Sequence, residues 1–291
     1  MRMDLKKVTP LVKASLREDI GRGDVTTWLC IPKEQEAKAA IIFEEDGIVC
    51  GMDVASLTFH LVDGAIKFKP LARDGDRVRA GKVVARIEGS ARSILIGERV
   101  ALNFLGHSSG IATRTAEYVK RAKPYGAKIM DTRKTTPGLR YLEKYAVRVG
   151  GGHNHRMGLY DQILIKDNHI KVQSSKFKVR SSRKKASIIR ELVSHARRRA
   201  PKGMKVEVEC ENLDELKEAL KARPDVIMLD NMKIAQMRRA VKMVAKPTKL
   251  EASGRVTLKN VREIARTGVD MISIGELTHS VRSIDVALEM L

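Results

Sequence analysis

"KVEVECENLDELKEALKARPDVIMLD", residues 205–230, is the stretch whose reading decides the fold. Its opening alternates valine with glutamate, the period of a β-strand whose two faces differ. "NLDELKEALKA" then carries a helical pattern, and "VIMLD" is a continuous apolar strand that ends on an acid. Strand, helix and strand within one such span form a βα unit, and a crossover of that kind joins parallel neighbours.

The same beat extends in both directions. Apolar strands end at Asp131 ("AKIMD"), Lys166 ("QILIK"), Glu209, Asp230, Glu251 ("TKLE") and Gly275 ("DMISIG"), the last three intervals being 21, 21 and 24 residues. Repeated units imply a parallel sheet covered by helices. Polar residues at the carboxyl end of every strand match where α/β barrels place their chemistry. Six such strands rather than eight, within residues 125–275, are compatible with an incomplete α/β barrel. An open doubly wound sheet is the alternative, but the GxGxxG turn it usually carries is absent. Residues 1–110 read differently. Short alternating strands in "AKAAIIFEEDGIVCG", "AIKFKPLARDGDRV" and "KVVARIEG" are separated by Asp-Gly turns at 46–47, 63–64 and 74–75. A long helix, "SILIGERVALNFLGHSSGIATRTAEYVKRA", follows.

Length allows one large domain or two moderate ones with a sizeable core. No run of 18 apolar residues argues for a membrane span. The N-terminus, "MRMDLKKVTPLVKASLREDIG", reads as an amphipathic helix without the apolar stretch of a secretory signal. Cys30, Cys50 and Cys210 are far apart and form no CxxC, which fits a reducing cytoplasm. The net charge of +21 invites a nucleic-acid reading, but residues 171–202 hold 12 Lys/Arg against one acid, Glu191. Aromatic residues at 4% leave base-stacking platforms scarce. The favoured reading is a solvated basic insertion with neither membrane nor nucleic acid as partner. Contact of that insertion with RNA, a membrane or a neighbouring subunit stays as the alternative.

If the strands are parallel, their ends converge. "DTRKTTPGLR" supplies Thr132, Arg133 and Lys134; "GGGHNHRMGLYDQILIK" supplies His155, Arg156 and Lys166; Arg99 can join from the upstream helix. Later strands bring Glu209 and Asp230, Ser253 and Gly254 in "EASGR", and Gly275 and His279 in "ISIGELTHS". One side is cationic, suiting a multiply anionic organic substrate. Small-residue turns ahead of helices offer backbone N–H groups to phosphate. Two acids fit Mg²⁺ shared with substrate oxygens better than a full protein cage. Taken singly, each Lys or Arg is more often a surface charge; their clustering at two successive strand ends favours a site. His153 and His155 with distant His169 make a poor zinc set. "VEVE" puts Glu207 and Glu209 on one face, and Glu209, at the strand end, is the stronger functional candidate. His107 and His279 serve as readily in capping or core as in substrate contact.

The stretches "EDIGRGDVTT", "GERVALNFLGHSSGIATRT", "DTRKTTPGLR", "KYAVRVGGGHNHRMGLYDQILIKDNHI", "VEVECENLDE", "VIMLDNM" and "LEASGRVTLKNVREIARTGVDMISIGELTHS" resemble, in order and over nearly the whole chain, those of the quinolinate phosphoribosyltransferases. The resemblance implies an N-terminal α/β sandwich domain (1–110, joined by a C-terminal helix at about 278–291) and an open α/β barrel catalytic domain (111–277). It implies a homodimer or higher oligomer with shared active sites. It implies the conversion of quinolinate and phosphoribosyl pyrophosphate to nicotinate mononucleotide, pyrophosphate and CO₂, a pentosyltransferase step of de novo NAD biosynthesis, with Mg²⁺. By the matching motifs quinolinate would be held by Arg133, His155, Arg156 and Lys166, with Thr132 and Lys134 nearby and Arg99 reaching in from a partner subunit. Glu209 and Asp230 resemble the acids near ribose and Mg²⁺. Ser253, Gly254, Gly275 and His279 resemble the phosphate-side residues. Lys134 or Lys166 would assist decarboxylation.

Two departures stand out. Where the family usually has a second glycine after Ser-Gly, this chain has Arg255, and residues 171–202 are longer and more basic than the family pattern. Competing readings are a relative acting on another base-like acid, such as the molybdenum-associated paralogue, and a basic nucleic-acid-binding protein.

Overall fold

Asp4 opens the first helix. Its carboxylate accepts from Lys6 N, and α1 (Leu5–Ile20) buries Val8, Val12 and Leu16 along one stripe. The computed structural model describes residues 3–176 and 182–291. The chain continues through α2 (Val25–Cys30), β1 (Glu36–Phe43), β2 (Gly47–Ile48), α3 (Met52–Val62), β3 (Lys67–Pro70), β4 (Arg77–Val78), β5 (Lys82–Ser90) and α4 (Ala91–Ala122). Then come β6 (Lys128–Met130), α5 (Arg140–Val149), β7 (Ile163–Ile165), α6 (Asp167–Lys176), α7 (Ser182–Arg199), β8 (Val206–Cys210), α8 (Leu213–Lys221) and β9 (Val226–Asp230). The last elements are α9 (Ile234–Met243), β10 (Lys249–Ser253), α10 (Val261–Ala265), β11 (Met271–Ser273), α11 (Glu276–His279) and β12 (Val286–Met290). Two compact units result. One holds residues up to Ala116 with Lys134–Gly152 and Glu276–Leu291; the other holds Glu117–Arg133 and His153–Gly275.

In the first unit an antiparallel sheet of order β12-β1-β5-β3 packs Ile41, Phe43 and Ile87 against Phe59, Ile94 and Leu105. The helix expected over about 278–291 is not there. That segment forms the short α11 and then β12, which pairs with β1 from Phe43↔Val286 to Ala39↔Met290. Val286 enters the core, and β12 satisfies backbone groups of β1 that a helix would leave bare. Compactness also assigns residues 134–152 here rather than to the barrel. The glycine run that ends this segment is a packing device: a Cβ on Gly150 would sit 2.4 Å from the carbonyl oxygen of Ala112.

In the second unit all six strands anticipated from sequence form one parallel sheet, ordered β6-β11-β10-β9-β8-β7. Successive strands β7 to β11 are laid down in one direction, and β6 lies beyond β11. A doubly wound sheet would reverse from its middle, so the winding is that of a barrel left open between β6 and β7. The helices between strands follow local chemistry. Asn212 caps α8 by accepting from Asp214 N and Glu215 N; Asp214 and Glu215 fill the first turn and Lys221 the last. Arg223 at φ 54 and Pro224 then end the helix. Much of the basic insertion is α7, whose Ile189 and Val193 are fully buried as it packs on α8 and β8. Residues 177–181 of that insertion lie outside the described residues. Among the described residues no helix is long and apolar enough to cross a membrane.

Candidate active site

At the carboxyl end of β6 the chain turns on Asp131, which is fully buried. Burying a carboxylate costs several kcal/mol unless it is bonded. Asp131 Oδ1 accepts from His155 N (2.8 Å) and Oδ2 from Asn154 Nδ2 (2.5 Å). Asp131 N in turn donates to the His153 carbonyl (3.0 Å), which seats the segment His153–Arg156 beside the open edge of β6. Asp131, which the sequence marked only as a strand end, is therefore the anchor of the histidine-rich loop.

That loop delivers Arg156, 7% exposed, with its guanidinium Nη1 donating to the Gln162 carbonyl at 3.1 Å. Burial and then the charge of Arg133 push the Arg156 guanidinium below its ordinary pKa, against the opposing pull of Glu207, Asp161 and Glu209. The charge of Arg133 thus acts against that of Arg156, a repulsion that a bound anion relieves. On the next strands Lys166 Nζ donates to Glu209 Oε1 (2.9 Å), and Glu209 Oε2 accepts from Asp167 N (3.4 Å). Asp230 ends the adjacent β9, its Oδ2 accepting from Asn231 Nδ2 (2.9 Å).

Thr132, Arg133, His155, Arg156, Lys166, Glu209, Asp230, Ser253, Gly254 and Gly275 all belong to the second unit; His155 and Arg156 lie on the loop ahead of β7 that Asp131 anchors, and the others lie at or just past strand ends. Three candidates belong to the first. Lys134 is exposed, and its carbonyl accepts from Thr278 Oγ1 (2.7 Å). His279 is exposed, with Nδ1 2.7 Å from Ser280 Oγ. Arg99, 61% exposed beside Glu98, lines a cleft of about 640 Å³ with Asn103, His107 and Ser283.

The other histidines take structural parts. His107 Nε2 lies 3.1 Å from the fully buried Glu143, and His169 Nδ1 accepts from Lys166 N. His155 alone among His153, His155 and His169 joins a compact group of ligand-type side chains, with Glu207 and Glu251. Its Nε2 lies 3.0 Å from Glu207 Oε2 and 3.7 Å from Glu251 Oε1. Glu251, 1% exposed, accepts from Ser273 Oγ (2.5 Å); burial, then the charge of Glu207, pushes its pKa up to about 8. Glu207, Gln162, Glu251 and Ser273 were not singled out by sequence beyond the alternation of "VEVE" and the strand-end position of Glu251.

Profiles described as "Quinolinate phosphoribosyl transferase, N-terminal domain" and "Quinolinate phosphoribosyl transferase, C-terminal domain" match residues 24–109 and 111–289. The chain belongs to the quinolinate phosphoribosyltransferase family. It is 43% identical to the probable nicotinate-nucleotide pyrophosphorylase [carboxylating] of Bacillus subtilis, over 99% of this chain and 94% of that protein. It is 40% identical to the chloroplastic enzyme of that name from Arabidopsis thaliana, over 99% of this chain and 83% of that protein. Among solved structures, NadC from Streptococcus pyogenes superposes with a TM-score of 0.90 at 40% identity, covering 100% of this chain and 99% of that one. The nicotinate-nucleotide pyrophosphorylase of Francisella tularensis gives 0.89 at 39%, covering 100% and 98%. For a quinolinate phosphoribosyltransferase, the turn after β10 carries a local strain. Gly254 adopts φ 94, and a Cβ there would lie 2.2 Å from Asn231 Oδ1. Arg255 adopts φ 50, a left-handed conformation that glycine takes without penalty. That is the physical sense of a second glycine at this position, and Arg255 forgoes it.

Proposed function

We propose that this chain transfers the phosphoribosyl group of phosphoribosyl pyrophosphate to the ring nitrogen of quinolinate, releasing pyrophosphate and CO₂ and giving nicotinate mononucleotide, as a pentosyltransferase of de novo NAD biosynthesis. The observation that carries the reading is the placement of Arg133 just past β6 and of Arg156 on the loop that Asp131 anchors there, together with the Lys166–Glu209 pair past β7 and on β8. A pyridine dicarboxylate is a planar dianion, and guanidinium forks match its carboxylates. Thr132, Lys134, His155 and Lys166 are assigned to the same substrate, and Arg99 to the site of a neighbouring subunit in a homodimer or higher oligomer. Exposed apolar side chains on α2, Leu29 at 81% and Trp28 at 50%, favour such an assembly.

The pyridine lone pair forms the bond to ribose C1 as the C1–oxygen bond breaks with its electrons going to pyrophosphate. Positive charge grows on the sugar, and Glu209 and Asp230 stabilise it. Ser253, Gly254, Gly275 and His279 are assigned to the phosphates. The donor set of Glu209 and Asp230 is oxygen only, on adjacent strands, which fits a hard cation that keeps substrate and water ligands. Mg²⁺ bound there would offset charge on the leaving pyrophosphate. When the neighbouring carboxylate departs as CO₂ its bonding electron pair stays on the ring carbon, stabilised by the adjacent cationic nitrogen, and a lysine proton completes that carbon. Lys134→Ala and Lys166→Ala, compared by kcat, identify the donor. The cysteines, all free, accord with a reducing cytoplasm.

The test is incubation with phosphoribosyl pyrophosphate and either quinolinate or nicotinate, following CO₂ and mononucleotide. Quinolinate turnover is expected; turnover of nicotinate alone refutes the reading.

A further inference from the structure

Glu207 precedes Glu209 by two residues on β8 and shares its face, one layer deeper. It is completely buried, and its partners explain how the charge is tolerated. Oε2 accepts from Gln162 Nε2 at 2.6 Å and lies 3.0 Å from His155 Nε2. Both neighbours in turn hold Arg156. The Gln162 carbonyl accepts from Arg156 Nη1 at 3.1 Å, and Arg156 N donates to His155 Nδ1 at 2.8 Å. Because Nδ1 accepts, the neutral ring carries its proton on Nε2, facing Glu207. Two routes thus run from one carboxylate to one arginine, fixing its backbone at one end and its guanidinium at the other.

We propose that Glu207 is a positioning residue: acting through Gln162 and His155, it aims the Arg156 guanidinium and thereby sets the affinity for the dicarboxylate substrate without touching it. The inference rests on the reading of Arg156 as a carboxylate-binding group. A guanidinium misaimed by a rotamer loses its bidentate geometry while keeping its charge, so the effect falls on one substrate and not on the other.

The experiment measures KM for quinolinate and for phosphoribosyl pyrophosphate, with kcat, in Glu207→Gln, Gln162→Ala, their double variant and Arg156→Ala. Glu207→Gln keeps the size and a carbonyl in the place of Oε2 but removes the charge that strengthens its hold on the Gln162 amide and the His155 ring. At least a tenfold rise in KM for quinolinate is expected in both single variants, with KM for phosphoribosyl pyrophosphate within twofold of wild type. The double variant should be no worse than the worse single one, because the Gln162 side chain acts through Glu207. If Arg156→Ala leaves KM for quinolinate unchanged, the underlying assignment of Arg156 fails. If Arg156→Ala raises it but Gln162→Ala or a folded Glu207→Gln does not, or if both KM values rise equally, positioning by Glu207 is overturned. Should Glu207→Gln fail to fold, Gln162→Ala decides alone.

Discussion

Replacing Glu251 by Gln should flatten the dependence of stability on pH. In the folded chain this carboxyl is 1% exposed beside the charge of Glu207, and its pKa is raised from 4.5 to about 8. Below pH 4.5 folded and unfolded chains both hold the proton. Between pH 4.5 and about 8 only the folded chain does, so folding takes up a proton and stability falls as pH rises, by ~1.4 kcal/mol per unit. Above about 8 neither state holds it and the loss stops. From pH 5 to 7.5 the expected contribution is roughly 3 kcal/mol, or a fall in Tm of at least about 5 °C for a chain of this size. Gln keeps a carbonyl to accept from Ser273 Oγ and has no proton to lose in this range. Calorimetric melting of both proteins at constant ionic strength over pH 5–8 reads the difference in slope directly. Parallel lines for wild type and Glu251→Gln would show that Glu251 does not carry its proton into the folded state, and the argument from burial would fail.

Gly254→Ala should cost about 1–2 kcal/mol from its left-handed backbone alone. It should also displace Asn231 from Asp230, so catalytic efficiency should fall beyond what the lower Tm explains, mainly through phosphoribosyl pyrophosphate. Arg255→Gly should stabilise by about 0.5–1 kcal/mol, read as a higher denaturation midpoint, because Gly relieves the backbone at φ 50; an unchanged midpoint contradicts the strain. Arg99→Ala mixed with an Arg133→Ala protein should regain partial activity through mixed oligomers, whereas two inactive populations that stay inactive would place Arg99 outside a shared site.

The barrel was legible because each strand is an apolar run ended by a polar residue or a glycine, and nothing in tertiary packing overrides that pattern. The end of the chain was not. "DVALEML" is short, and its apolar residues fit either period; the bare edge of β1, invisible in sequence, settles it as β12. Residues 134–152 were read with the barrel through chain order, but Gly150 lets that segment close on Ala112. In the site, the strand-end cations were legible from clustering. What lies beneath them was not: Glu207 pairs with residues 45 and 52 positions away, Gln162 and His155, and no local pattern encodes that meeting.

β12 is the outermost strand of its sheet, and beyond it Leu291 N still donates to the Lys38 carbonyl. Clipping the final six residues would unmask the ladder of Ala39–Phe43, five consecutive residues without a charge, as an adhesive border for other chains. Loss of solubility, rather than loss of chemistry, is how removal of β12 should first announce itself.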